Sequence, residues 1–292
     1  MTPRARLGLG LLLAAALGAG PVQARLFSRP APSVAALPDA ALAEIQIALD
    51  EHRYLDAARM LDEAAVSSPK TPRLTRLRGD LGLALGRYTE ALADYRQVDA
   101  VAAERARALE GEGIALSLLG RADDALATLK KAVAEAPTAW RAWNALGGEY
   151  DARDDWTQAE AAYAQALSQS RGAAIVLNNR GYSRLLQRRL DDAVTDLVAA
   201  LRARPDLAEA RTNLRLALAM KGDYRGAVAG GAPEDQASLL NNAGFAAALR
   251  GDYPKAEDLL GQAIKLRSAY YDKASENLKV VKGLEARGDA GP

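Results

Sequence analysis

Apolar and polar residues recur over residues 38–285 with the spacing of amphipathic helices, in blocks of about a dozen residues parted by short turns. From Gly147, steps of 34 residues reach Gly113 and Gly79 in one direction and Gly181 in the other. One further step gives Ile45 and Arg215, and Gly244 serves as the reference of one more block. Twelve residues after these seven references stand Ala57, Ala91, Ala125, Ala159, Ala193, Ala227 and Ala256. Seven residues after them stand His52, Gly86, Gly120, Asp154, Arg188, Gly222 and Gly251, where glycine suits a turn with positive φ. Sixteen after them come Leu61, Tyr95, Leu129, Tyr163, Leu197 and, past one break, Leu260. Pro69, Pro137 and Pro205 close several blocks, since proline lacks the amide donor that a helix needs. No run alternates apolar and polar among β-branched residues, so the expectation is all-α.

The segment "WNALGGEYDARDDWTQAEAAYAQAL" carries Trp143, Leu146, Gly147 and Tyr150, then Ala159, Tyr163 and Ala166. At positions 4, 7, 8, 11, 20, 24 and 27 of a 34-residue unit, these residues resemble the tetratricopeptide repeat (TPR). The resemblance covers about four fifths of the chain and implies a right-handed superhelical solenoid of helix-turn-helix pairs. The seven units are expected at 38–71, 72–105, 106–139, 140–173, 174–207, 208–236 and 237–270. A capping helix follows at 271–285, with Lys273, Glu276 and Lys282 on its polar outer face, and then a flexible tail at 286–292. Unit six dissolves into "AGGAPEDQ" at 229–236, a run that cannot continue a helix. Its second helix should be short. The segment is either a hinge at Gly230–Pro233 or a five-residue deletion tolerated at a surface turn.

The first segment reads differently. Arg4 and Arg6 precede an apolar stretch from Leu7 to Ala19, and Gly20-Pro21-Val22-Gln23-Ala24 follows with small residues at a cleavage site. This predicts a secretory signal peptide over 1–24, cut at about Ala24, with a linker over 25–37. The apolar core is about 13 residues, short of the roughly 20 that span a bilayer, so no stable membrane insertion is expected after cleavage. An exported, soluble, periplasmic protein is the plain expectation.

Composition narrows the chemistry. The formal charge is +1 before loss of the leader's two arginines and −1 after it, which argues against a nucleic-acid partner. There is no cysteine, hence no disulfide and no lipidated N-terminal cysteine. His52 is the single histidine, and it falls at a turn. No Walker-type phosphate loop occurs, and the pairs Asp123-Asp124 and Asp191-Asp192 open second helices, where they favour the positive end of the dipole. Neither enzyme activity, nor a small-molecule substrate, nor a metal or other cofactor is expected.

The TPR resemblance places positions 2, 5, 6, 9, 12 and 13 of each unit on a concave groove, where position-6 asparagines grip peptide backbone in peptide-binding members. Carried over column by column, the candidates are Asn178, Asn179, Tyr182 and Leu185 in unit five, and Asn213, Leu216 and Met220 in unit six. Unit seven adds Asn241, Asn242, Phe245 and Leu249. A carboxamide both donates and accepts, so it can pair with backbone, and the apolar residues would form a floor for a partner's side chains. The other reading is that the asparagines satisfy neighbouring helices and the apolar residues pack internally. Upstream, Arg73, Arg76, Arg107 and Arg141 form a row that resembles the basic half of the family's carboxylate clamp. They either bind a carboxylate or pair with neighbouring acids such as Glu110.

Residues 174–280 carry two Asn-Asn-x-Gly openings, a truncated unit and a terminal "ASENL". In these features the C-terminal half resembles the TPR proteins of bacterial Tad/Flp pilus assembly. That likeness implies a non-enzymatic periplasmic scaffold, with pilus secretion-pore components as partners. A general cell-envelope adaptor in outer-membrane protein or cell-wall assembly is the alternative. A TPR-carrying enzyme comes last, because no segment of about 100 residues lies outside the repeats.

Overall fold

A computed structural model describes residues 39–67, 71–98, 102–170, 173–266 and 272–288. The expected leader at 1–24 and linker at 25–37 lie outside the described residues. Among the described residues there are fifteen α-helices, one 3-10 turn and no strand. The chain divides into two compact units, Met1–Ser170 and Arg171–Pro292.

The first unit holds four helix pairs: α1 (Asp39–Asp50) with α2 (Tyr54–Ser67), α3 (Pro72–Ala84) with α4 (Tyr88–Arg96), α5 (Ala102–Leu118) with α6 (Ala122–Glu135), and α7 (Trp140–Asp151) with α8 (Trp156–Ser170). The second holds α9 (Ala174–Leu186) with α10 (Leu190–Ala203), α11 (Ala208–Lys221) with α12 (Tyr224–Val228), α13 (Gln236–Leu249) with α14 (Tyr253–Leu266), and α15 (Asp272–Gly288). Helix α15 reaches into the expected tail, of which 289–292 lie outside the described residues.

Two sequence columns account for the pairing. All seven column alanines are at most 2% exposed, at the crossing of the two helices of a pair. Opposite them lie the reference glycines. A Cβ on Gly79, Gly113, Gly147, Gly181 or Gly244 would stand 2.5–2.8 Å from the large side chain sixteen residues on, namely Tyr95, Leu129, Tyr163, Leu197 and Leu260. Each glycine therefore makes room for a ring or branched chain that fills the pair's interior. The turn column is equally regular. His52, Gly86, Gly120, Asp154, Arg188, Gly222 and Gly251 all have positive φ, between 57° and 92°. For His52, Asp154 and Arg188 this left-handed turn costs on the order of 1 kcal/mol, which the pair's packing must offset.

Joints between pairs are tied by side chains. Thr71 caps α3, its hydroxyl oxygen accepting from the Leu74 amide at 3.3 Å, and Pro72 takes the first helical position. The Trp143 indole donates to the Pro137 carbonyl at 2.9 Å, and Arg211, in the same place of its own unit, donates to the Pro205 carbonyl at 2.7 Å. Unit six departs from the pattern. Helix α12 has five residues, started by Asp223 accepting from the Gly226 amide at 2.8 Å, and the chain then runs through Gly230 at φ 66° into the 3-10 turn Pro233–Asp235. Arg215 stands where five other units have glycine and the first has Ile45. No large residue fills its pair from the far side, so a long side chain fits, and its Nη2 donates to the Ala229 carbonyl at 3.3 Å. No described helix is long and apolar enough to cross a membrane.

Candidate functional site

Helices α9, α11, α13 and α15 pack side by side in the second unit, each the first of its pair or, for α15, standing alone. Residues three and four apart share a helix face, so positions 5, 6, 9 and 13 form one stripe per helix. The asparagines on these stripes divide into two kinds.

Asn178 and Asn241, at position 5, are 8% and 2% exposed. Each is a joint. Asn178 Oδ1 accepts from Asn213 Nδ2 of α11 at 3.0 Å, while its own Nδ2 donates to Asn179 Oδ1 at 3.1 Å. Asn241 repeats this, accepting from Asn277 Nδ2 of α15 at 2.9 Å and donating to Asn242 Oδ1 at 3.2 Å. A buried carboxamide left unpaired would cost about 1–3 kcal/mol, so these bonds hold adjacent first helices in register. Asn178 and Asn241 are thus structural, a correction to their expected place among the ligand-facing residues. The second kind is Asn179, Asn213 and Asn242, at position 6. Asn179 and Asn213 are half-buried and Asn242 is exposed.

The expected apolar floor also divides. Leu185 and Met220 are 6% and 8% exposed and belong to the core, because they point between helices rather than out of the stripe. Leu216 is half-buried and packs against the same core. Tyr182 is half-buried, whereas Phe245 at 46% and Leu249 at 51% stand open. Ile175 and Leu186 are exposed as well, at 39% and 38%.

The arginine row of the first unit is largely engaged internally. Arg76 is 2% exposed; it pairs with Asp80 on its own helix, donates from Nε to Glu104 of α5 at 2.5 Å, and from Nη2 to Gln46 of α1 at 3.1 Å. At 2% exposure and with three partners around it, this guanidinium is closed to an outside carboxylate, which corrects its expected role. Arg73 donates to Asp39 at 3.2 Å and approaches Glu104 at 4.0 Å. Arg141 lies 3.9 Å from Asp50 and over the Trp140 ring at 5.4 Å. Arg107 is exposed. Burial pushes the Asp80 and Glu110 carboxyls above their ordinary values, with Arg76 opposing this at Asp80 and Arg141 at Glu110. Burial also raises the Tyr95 phenol, whose hydroxyl donates to Asp80 at 2.8 Å. The charges around Arg76 thus close on one another, while Arg107 and Arg141 stand open.

Sequence columns did not disclose Asn277. It sits in the "ASENL" segment of the expected cap, and only its bond to Asn241 identifies it as a counterpart of Asn213. His52 lies at an exposed turn with Nδ1 2.7 Å from the Tyr54 hydroxyl. Among the described residues no group of three His, Cys, Asp or Glu could hold a metal ion.

A family model for the tetratricopeptide repeat matches residues 42–105, 110–174 and 144–208, together more than half of the chain. Among solved structures, the APC/C hetero-tetramer Cut9–Hcn1 superposes with a TM-score of 0.62 at 14% identity, over 83% of this chain and 49% of that one. This chain thus spans about half the length of that relative. A thermophilic TPR protein of Thermus thermophilus matches with a TM-score of 0.54 at 21% identity, over 62% of this chain and 98% of its own. The C-terminal part of a TPR repeat-containing protein from Cytophaga hutchinsonii matches with 0.52 at 16% identity, over 81% and 99%. At these identities the likeness is one of fold. No curated protein matches the sequence.

Proposed function

This chain belongs to the tetratricopeptide repeat family, and from that premise we propose that it is a non-enzymatic scaffold whose second unit holds a segment of another protein. The observation that carries the reading is a repeated one. Asn179, Asn213 and Asn242 occupy the same position on three successive first helices, each followed three residues later by Tyr182, Leu216 or Phe245. Carboxamides set beside apolar side chains suit a peptide, whose backbone offers donors and acceptors and whose side chains need cover. The exposed Phe245 and Leu249 form the kind of apolar surface that marks an interaction site.

The place of action in this reading is the periplasm, and the process is assembly of a Tad/Flp-type pilus or secretion system. Two sequence features support this: the leader-like residues 1–24, and the resemblance of 174–280 to TPR proteins of those loci. The test is crosslinking in the periplasm with the chain as bait. Recovery of a pilus secretin or its pilotin is the expected result, together with loss of pili on deletion. Asn179→Ala combined with Asn242→Ala should reduce capture by about thirtyfold, since each substitution removes a hydrogen bond worth about 1 kcal/mol. Capture unchanged in that double variant would end the reading.

A further inference from the structure

Helix α15 carries a fourth copy of the stripe. Asn277, Val280 and Leu284 have the spacing of Asn242, Phe245 and Leu249, and the bond from Asn277 to Asn241 matches that from Asn213 to Asn178. The register of the copy is therefore set by a contact and not by alignment alone. Val280 is 57% exposed and Leu284 37%. A helix serving only as a polar end cap has no use for two open aliphatic side chains on the same face as its neighbours'.

Resting on the capture reading above, we infer that the capture face continues over α15 and that its occupant is an uncharged, apolar stretch within a partner's chain, not an acidic or C-terminal tail. Charge complementarity carries the choice. At the asparagine position and the two apolar positions after it, all four helices bear uncharged side chains. A carboxylate needs a guanidinium or ammonium group to meet it, and none stands at these positions; the exposed Lys273, one turn before Asn277, lies at the end of the stripe. A charged side chain laid over Phe245 and Val280 would lose water without gaining a partner. Length follows from packing: four neighbouring helices at 8–10 Å spacings span roughly 30 Å, about nine residues of extended chain.

The test uses the full chain and fluorescence anisotropy with two labelled ten-residue peptides. One alternates leucine and serine and is amidated at its C-terminus; the other replaces leucine with aspartate and keeps a free carboxylate. The neutral peptide should bind at least about tenfold more tightly. Val280→Lys with Leu284→Lys should weaken it by about tenfold or more, with helical circular dichroism unchanged because both sites are exposed. Val280→Ser with Leu284→Ser should act in the same direction to a smaller extent. Equal binding of the two peptides would overturn the choice of occupant. If Asn179→Ala with Asn242→Ala abolishes binding and both α15 variants leave it intact, the capture reading stands and the extension over α15 fails. If none of the variants matters, both fail. A dimer in sedimentation that the α15 lysines convert to monomer would make a second copy the occupant and overturn the inference as well.

Discussion

At the fifth position of the repeat, α3 carries Arg76 while α9 and α13 carry Asn178 and Asn241, and all three are buried. Each reaches to a neighbouring first helix: Arg76 to Glu104 of α5, Asn178 to Asn213 of α11, Asn241 to Asn277 of α15. The same place in the repeat is thus a joint in both units, made of ions in one and of carboxamides in the other. The chemistry of the joint decides what remains for a ligand. Ions compensate each other, so Arg76, Asp80 and Glu104 close on themselves. A carboxamide passes its bond along: Asn241 donates to the oxygen of Asn242, and that residue is exposed.

The difference can be broken most forcefully at Arg76. Arg76→Met leaves Asp80 and Glu104 without their buried cation, and should destabilise the first unit by about 3–5 kcal/mol. Hydrogen exchange should show faster opening of α1–α8, with α9–α15 unchanged; a loss below about 1 kcal/mol would mean that the ions do not form a joint. Asn241→Ala is the milder counterpart. It strands the donor of Asn277 and should cost about 1–3 kcal/mol, seen as faster exchange in α13 and α15.

The smallest expected effect is a pH dependence at the buried carboxyls of the first unit. Burial raises the Glu110 carboxyl above its ordinary 4.5 in the folded state, so the folded form holds its proton more tightly than the unfolded form. Stability from this group is therefore highest at acid pH and declines as pH rises from 4.5 through the raised value. Asp80 shifts in the same direction. Glu110→Gln should flatten urea midpoints measured across that window. Asn178→Asp, placed in the second unit, would introduce a titration where the native joint has none.

The scaffold was legible because it depends on one residue at a time. Gly147 must be small for Tyr163 to fit, and Arg188 or Gly222 must turn the chain, so each leaves a mark in its own column. The site was less legible because it depends on pairs. Position alone groups Asn178 with Asn179 and Arg76 with Arg107. Only the side chains opposite show that Asn178 and Arg76 are already engaged. Leu185 and Met220 fall by number among the groove positions with Tyr182 and Leu216, yet both are buried in the core between helices. Asn277 lies outside the repeat columns because, among the described residues, no second helix follows α15 to complete a repeat.

Helix α12 has a consequence for how the molecule melts. A linear array of helix pairs is stabilised mainly by terms between nearest neighbours, and cooperativity travels only as far as those couplings are strong. The buried residue of the five-residue α12 is Ala227, whereas the full-length α10 and α14 bury four residues each. The sixth pair is then the weakest link of its unit. Heating should uncouple the block of α13–α15 from that of α9–α11, so that the second unit loses its structure in two steps rather than one.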